Sequence, residues 1–455
     1  MGGPFRFGTT PFPIISMIKT SSWCAVFAVI VAGFPAAFAQ TPLSTLTLEQ
    51  TLRTVEQVNV NVLLGREAVA QAVEQTRQIR AGVLPDVSLS AQQFRTKSVS
   101  LPKGVPTQSG ASNRFSTALD GAYNILDPRG LSATHAARVG VQAVKYDYRA
   151  VVQNVLATAA ETYFSHLRNV RRITVLDANV RRARALLDLA QNQAAAGAAT
   201  KIDVTRAEAL LAQAQFARLQ QDTTVYQTEL LLKQLLDFDT AGPLHLADFT
   251  VRREISAEFT IAMERTAFED RADWLRGQKA LEQAKLNVQT ARFERLPVLA
   301  LSGQYGYVGS EVFSEGKKSA WFAGAIISVP VFDGLRSNAD KRLALSRQRA
   351  VEVRQRSLEL QISAELRLAT QNASSRFAQI EVAGTSLRLA EEELRLAQVR
   401  FEQGVADNRE VIEAQNRLAL AGDSFNEAIY QLNLSHLELA RAKGDVRKIL
   451  AEKAK

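Results

Sequence analysis

Two spacings of apolar residues alternate along the chain. Leu167, Val170, Ile173, Leu176, Val180, Ala183, Leu187 and Ala190 recur every three or four residues, and so do Phe377, Ile380, Ala383, Leu387, Ala390, Leu394, Ala397 and Phe401. Such steps make a coiled-coil seam. Proline placement sets the limits of both tracts. None occurs from 129 to 242 or from 331 to 455, and an interior proline breaks a helix. The pattern predicts long helices over 131–196 and 335–402, followed by helices over 202–236 and 407–445. A helix of about 65–70 residues rises roughly 100 Å. That length suits a tube, rod or bundle, not a globular domain.

Between Pro85 and Pro128, and again between Pro297 and Pro330, the period falls to two. Phe115, Thr117, Leu119, Gly121, Tyr123 and Ile125 alternate with Ser116, Ala118, Asp120, Ala122 and Asn124. Leu299, Leu301, Gly303, Tyr305 and Tyr307 alternate with Ala300, Ser302, Gln304 and Gly306. A further strand runs from Trp321 to Val331, and a fourth begins at Val87, Leu89 and Ala91. These read as two hairpins, 86–127 and 297–332, with polar, Gly-containing loops at 100–113 and 309–318. Four strands cannot close a membrane barrel alone, and open strand edges are not viable in lipid. Either the sheet is a soluble one packed on the helices, or several chains share one barrel. The aromatic residues near strand ends (Tyr305, Tyr307, Trp321, Phe332) fit the shared barrel. Asp120 and Asn124, set between apolar neighbours, fit its water-filled lumen and fit ordinary strand alternation equally.

The chain also repeats itself. Leu84-Pro85-Asp86-Val87-Ser88-Leu89-Ser90 matches Leu296-Pro297-Val298-Leu299-Ala300-Leu301-Ser302. Gly197, Asp203, Val204 and Ala207 match Gly404, Glu410, Val411 and Ala414. Two repeats, 40–236 and 273–445, are thereby expected around a connector, 237–272, with a tail at 446–455. Each runs helix, hairpin, long helix, Gly-containing turn, helix, which makes a pseudo-symmetric bundle.

Residues 17–39 carry Lys19, an apolar run from Trp23 to Phe34, and Ala37-Phe38-Ala39 before Gln40. This reads as a secretory signal within a 1–39 signal segment, with Met17 as a second candidate start. A transmembrane helix fits less well, because Gly33 and Pro35 break a short run. The only cysteine, Cys24, lies inside that signal. The exported chain therefore has no thiol for a disulfide, a metal site or a nucleophile. The signal also removes Arg6 and Lys19 from 55 Lys+Arg set against 46 Asp+Glu. The balance of +7 left by 53 against 46 is spread along long helices, the pattern of a solvated surface and not of a nucleic-acid site. The four histidines (His135, His166, His245, His436) lack metal-ligand spacing, and no phosphate-binding loop or nucleophile elbow is present, so no catalytic site, metal or cofactor is expected.

One family has these features in the same order. The start at Leu46-Thr47-Leu48-Glu49-Gln50, both hairpin entries and Phe332-Asp333-Gly334 match it. So do Arg271-Ala272-Asp273-Trp274-Leu275, then Arg400-Phe401 with Gly404, then Glu410-Val411-Ile412-Glu413-Ala414-Gln415. Over residues 46–445 the chain resembles the TolC-like outer-membrane efflux proteins. The resemblance implies a mainly α fold with β hairpins, assembled as a homotrimer. Its 12-stranded outer-membrane β-barrel, four strands per chain, would stand on a periplasmic α-helical coiled-coil barrel. It implies an exit duct in the outer membrane of a Gram-negative bacterium, reaching into the periplasm. The implied partners are outer-membrane lipid, a periplasmic adaptor (membrane fusion) protein, and an inner-membrane RND pump or ABC exporter. A periplasmic coiled-coil adaptor is the competing reading, but adaptors have one helical hairpin, not a duplicated set with two β hairpins.

The resemblance also assigns roles. The turns holding Gly197, Ala198, Ala199, Gly404, Val405 and Ala406 would dock the adaptor. Asp203, Glu410, Glu413 and Phe401 would line the gate or constriction, the carboxylates forming rings under three-fold symmetry. A solvated helix face is the plain alternative for each carboxylate. Phe401 and Ala406 stand where the family's closed gate uses a tyrosine and an arginine, so closure here must use other groups, with Arg400 and Arg409 as candidates.

Overall fold

In a computed structural model the described residues are 45–100, 107–197, 199–250, 261–313, 315–406 and 408–452. The predicted signal segment lies outside them. Eight helices and four strands follow in the order α1 (Leu48–Val58), α2 (Val60–Ala81), β1 (Asp86–Ser100), β2 (Thr107–Leu126), α3 (Pro128–Ala195), α4 (Lys201–Leu236), α5 (Ile261–Asp270), α6 (Ala272–Phe293), β3 (Val298–Gly309), β4 (Lys318–Ser328), α7 (Arg336–Glu402) and α8 (Asn408–Ala442). A 3-10 turn, Val446–Glu452, follows α8. At 68 and 67 residues, α3 and α7 each span about 100 Å. Among the described residues no helix is long and apolar enough to cross a membrane.

Local chemistry fixes the element ends. Thr47 and Gln50 form a reciprocal capping box at the start of α1. Pro128 occupies the first turn of α3, where its missing N–H costs nothing, and the Asp127 carboxylate accepts from Gly130 N at 2.9 Å. Before α7 the chain turns through Gly334 and Leu335, both at φ +67°. Leucine rarely adopts that backbone.

The strands pair antiparallel in the order β1-β2-β3-β4, one sheet built from both repeats, with β1 and β4 as its edges. In the half nearest the sheet the helices lie side by side as α2-α3-α6-α7. Beyond it they lie as α4-α3-α8-α7. So α7 forms one lateral edge, with α5 laid against its middle around Ala267, Leu366, Ala369 and Ala373, and α2 or α4 forms the other. The main core gathers where α1, α3, α4 and α8 meet the 3-10 turn, around Leu52, Leu156, Tyr163, Phe164, Leu232 and Ile449. A bridge between Leu46 and Leu246 crosses it, and the buried Tyr163 hydroxyl donates to Leu46 O at 3.1 Å and Ala247 O at 2.5 Å. Burial raises the pKa of that phenol above its usual range.

Five details differ from the sequence pattern. The first helix is two, because Asn59 ends α1 and caps α2 by accepting from Asn61 N at 3.0 Å. The first hairpin loop is shorter, because the ladder resumes at Val99 and Gln108 after a register shift past Lys97 and runs on to Ser100 and Thr107. Strand β4 stops at Ser328, before Val329-Pro330-Val331, where Pro330 cannot donate to a ladder. The connector contains α5. The tail folds back through the 3-10 turn, with Val446 and Ile449 fully buried.

Candidate functional site

The sheet has two unlike faces. Directly opposed residues share a face, so the register reads off complete rows. On one face Leu89, Leu119, Tyr305 and Trp321 stand in line across all four strands, each between 50% and 78% exposed. The adjoining row is Val87, Gly121, Gly303 and Ala323. Gly306, on the opposite face, is obligatory: a Cβ there would lie 2.1 Å from Thr117 O.

That opposite face is polar. Asp120 sits between Ser88 and Gln304 in the register. Its carboxylate accepts from Ser90 Oγ at 2.9 Å and from Gln304 Nε2 at 2.7 Å. Asn124 shares this face four residues on, paired with Ala300. The sequence pattern contained Asp120 but not its two donors, which come from neighbouring strands.

At the far end of the helices the two turns are built alike. Gly197 and Gly404 take φ +73° and +71°, and nothing lies within 4 Å of where a side chain would start. Left-handed glycine lets an antiparallel helix pair reverse tightly. Val405 is exposed and Ala199 and Ala406 are half-buried, whereas Ala198 lies outside the described residues. The carbonyl of Arg400 accepts from Val405 N at 2.9 Å and from Ala406 N at 3.3 Å.

The predicted gate residues divide into three kinds. Asp203 caps its own helix: its carboxylate accepts from Thr200 N at 2.9 Å and Thr200 Oγ1 at 2.6 Å, with Arg206 at 3.7 Å. The Thr200 hydrogen bonds hold this carboxyl below the usual carboxylate range. Glu410 and Glu413 are ion-paired across and along the second turn, Arg400 Nε to Glu410 at 3.4 Å and Arg409 Nε to Glu413 at 2.9 Å. Both arginines named as substitutes for the family's gate arginine thus sit beside the carboxylates. Phe401 departs from its expected place. It is 5% exposed and packs with Leu186, Ala190, Leu394, Ala397 and Val411. The cause is the helical period, which makes Phe401 the last member of the α7 seam.

Sequence reasoning missed Asn408. It is fully buried at the start of α8, and its Nδ2 donates to Asp203 O at 2.8 Å. This bond ties the two turns together across 205 residues of sequence, and only the repeat offset hinted at such a pairing. The motif around Arg271 is a fastening. Its guanidinium grips Asp273 at 2.6 and 3.0 Å and Glu365 at 2.7 Å, joining the start of α6 to α7.

Comparison with known proteins agrees with this architecture. The outer membrane protein OprJ of Pseudomonas aeruginosa is 24% identical over 414 residues, covering 83% of each chain. The pyoverdine export outer membrane protein OpmQ of the same species is 23% identical, covering 95% of this chain and 91% of its own. The crystal structure of the Campylobacter jejuni CmeC outer membrane channel shares the fold, with a TM-score of 0.79 at 20% identity over 89% of this chain and 88% of that one. The sequence profile of the outer membrane efflux proteins matches residues 46–237 and 265–445, one segment per repeat. The chain belongs to the outer membrane efflux protein family, and it is an efflux channel of the outer membrane.

Proposed function

We propose that three copies of this chain share one 12-stranded barrel and form the passive exit duct of a tripartite efflux or type I secretion system. One observation carries the reading. The sheet exposes a continuous apolar row across four strands, while the outer edges of β1 and β4 are unpaired among the described residues. Such a sheet is stable in lipid only if further copies pair those edges and close it. The helices supply a matching argument. Edge helix α7 exposes Val353 and Leu360, then Val382, Leu389 and Leu396, at heptad spacing. Edge helix α4 exposes Ile202, Phe216, Leu219 and Tyr226. These are seams without partners among the described residues.

In this reading Asp120 and Asn124 face the barrel lumen. The turns around Gly197 and Gly404 dock a periplasmic adaptor, and Asp203, Glu410 and Glu413 ring the constriction. Phe401 acts from behind, by holding α7 against α8. The energy for export comes from an inner-membrane RND pump or ABC exporter, because the duct only conducts. The test is heat-modifiable trimers in outer-membrane fractions that conduct ions in planar bilayers. A purely water-soluble monomer would overturn it.

A further inference from the structure

The outward face of the barrel continues past its apolar band into a basic one. The apolar rows run from Leu126, Leu299 and Ile327 up to Phe115. Those 11 residue steps on β2 span about 37 Å along the strand, or roughly 28 Å of height at a tilt near 40°. That equals the hydrocarbon thickness of a bilayer, about 30 Å and less in a bacterial outer membrane. The next residues on the same face therefore stand at headgroup level.

They are cationic. Arg95, paired with Asn113, lies one row beyond Phe115, and Lys97, paired with Ala111, one row further. Each step is about 7 Å along the strand. The Lys317 ammonium, from the β3–β4 loop, lies over the Phe115 ring at 5.3 Å. Arg95 and Lys317 thus flank one aromatic ring on the outer face, since residues diagonal across strands are about 7–8 Å apart. Arg95 and Lys97 are exposed and have no ion-pair partner among the described residues. The neighbouring acids are Glu311, which accepts from Asn113 at 3.0 Å, and the exposed Glu315. From Val87 to Leu119 the chain has Arg95, Lys97, Lys103 and Arg114 and no Asp or Glu at all.

We propose that Arg95, Lys97 and Lys317 form a binding site for the phosphate groups of the outer-leaflet glycolipid, lipid A. Charge complementarity selects this occupant. The outer leaflet of such a membrane presents phosphate monoesters on a disaccharide at this height. A guanidinium fork with two ammonium groups matches several phosphate oxygens better than it matches a neutral headgroup. The Phe115 ring under Lys317 keeps the ammonium on the lipid-facing side by cation–π attraction. This inference rests on the barrel reading above for its outward direction.

The test is lipid binding by the intact trimer in detergent, with bisphosphorylated lipid A, dephosphorylated lipid A and phosphatidylglycerol as separate probes. The wild-type trimer is expected to prefer bisphosphorylated lipid A over both others. The triple variant R95Q/K97Q/K317Q should bind it at least tenfold more weakly and conduct normally, and R95K/K97R should retain it. Equal binding by the triple variant overturns the proposal, and so does a wild type indifferent to dephosphorylation or equally avid for phosphatidylglycerol. A wild-type chain that forms no trimer sinks the duct reading and this inference together. A conducting trimer indifferent to phosphate sinks this inference alone.

Discussion

Arg400→Ala tests whether the constriction owes its ion preference to a balance of charges. Arg400 lies 3.4 Å from Glu410, and the two side chains are 56% and 41% exposed. A surface pair of this kind contributes only about 0.2–1 kcal/mol to stability, so the trimer should melt almost as before. Its effect on a passing ion should be larger. At about 7 Å in water a unit charge contributes roughly 0.6 kcal/mol. Screening at 0.1 M salt, with a Debye length of ~10 Å, halves that to about 0.3 kcal/mol. Three-fold symmetry removes three guanidinium charges together, which favours a cation by about 0.9 kcal/mol and disfavours an anion by as much, or roughly a twentyfold rise in cation over anion permeability. At 1 M salt the Debye length falls to ~3 Å and the change should nearly vanish. The assay is the reversal potential of single channels across a salt gradient at low and high ionic strength. Glu410→Gln should shift the ratio the other way. An intact conducting trimer with an unchanged ratio at low salt would refute the reasoning and move these residues away from the pore.

Three other outcomes follow from the geometry. Tyr163→Phe leaves the carbonyl of Ala247 without its buried donor, while that of Leu46 keeps the Ala247 amide, a loss of about 1–3 kcal/mol that should appear as a lower urea midpoint. Val87→Arg places a charge on the outer face near mid-band and should cost about 2–4 kcal/mol per chain. Ser88→Arg, on the polar face, should cost far less; equal folding yields of the two variants into lipid vesicles would contradict the assignment of faces. His166 is buried, with Nδ1 3.1 Å from Thr228 Oγ1, and burial lowers its pKa below the ordinary value. A depressed histidine stabilises the fold above its unfolded pKa, near 6.5, and that contribution is lost as pH falls through the lower folded value. Melting temperatures should therefore drop as pH falls below about 6.5, and His166→Gln should flatten that slope.

What the sequence made legible, and what it hid, divides by the range of the interaction responsible. The proline-free tracts and the seam steps are local, so α3 and α7 lie within three residues of their predicted ends. Period two is equally local, and both hairpins follow it. Asn59 looked like one more helical position, because its use as a cap is completed by a tertiary bond from its Nδ2 to Leu235 O at 3.2 Å. Asn408 was invisible for the same reason. The tail looked featureless, yet Gly444 at φ +90° turns it against Asp270 and Arg271, where a Cβ would meet backbone at 2.9 Å. Phe401 shows a different failure. Its spacing already placed it in the α7 seam, and only the family comparison drew it toward the pore. Where the two disagreed, the physical pattern agreed with the packing.

The apolar residues left over are the more informative part. A seam of period 3.5 predicts that a helix is covered but not by what. In α7, Leu394, Ala397 and Phe401 are covered within the chain, while Val382, Leu389 and Leu396, on another side of the same helix, remain exposed. Among the described residues no element lies there, because beyond α5 the helix α7 is the lateral edge of its layer as β4 is the edge of its sheet. Both unfilled edges lie on repeat two, and repeat one ends the opposite side with β1, α2 and α4. The two sides are therefore different surfaces. Identical copies that join through two unlike surfaces meet head to tail, and a head-to-tail contact whose rotation closes makes a ring. On this argument neither the barrel nor the helical tube is a property of the monomer, and loosening the α4 or α7 stripe should weaken both together.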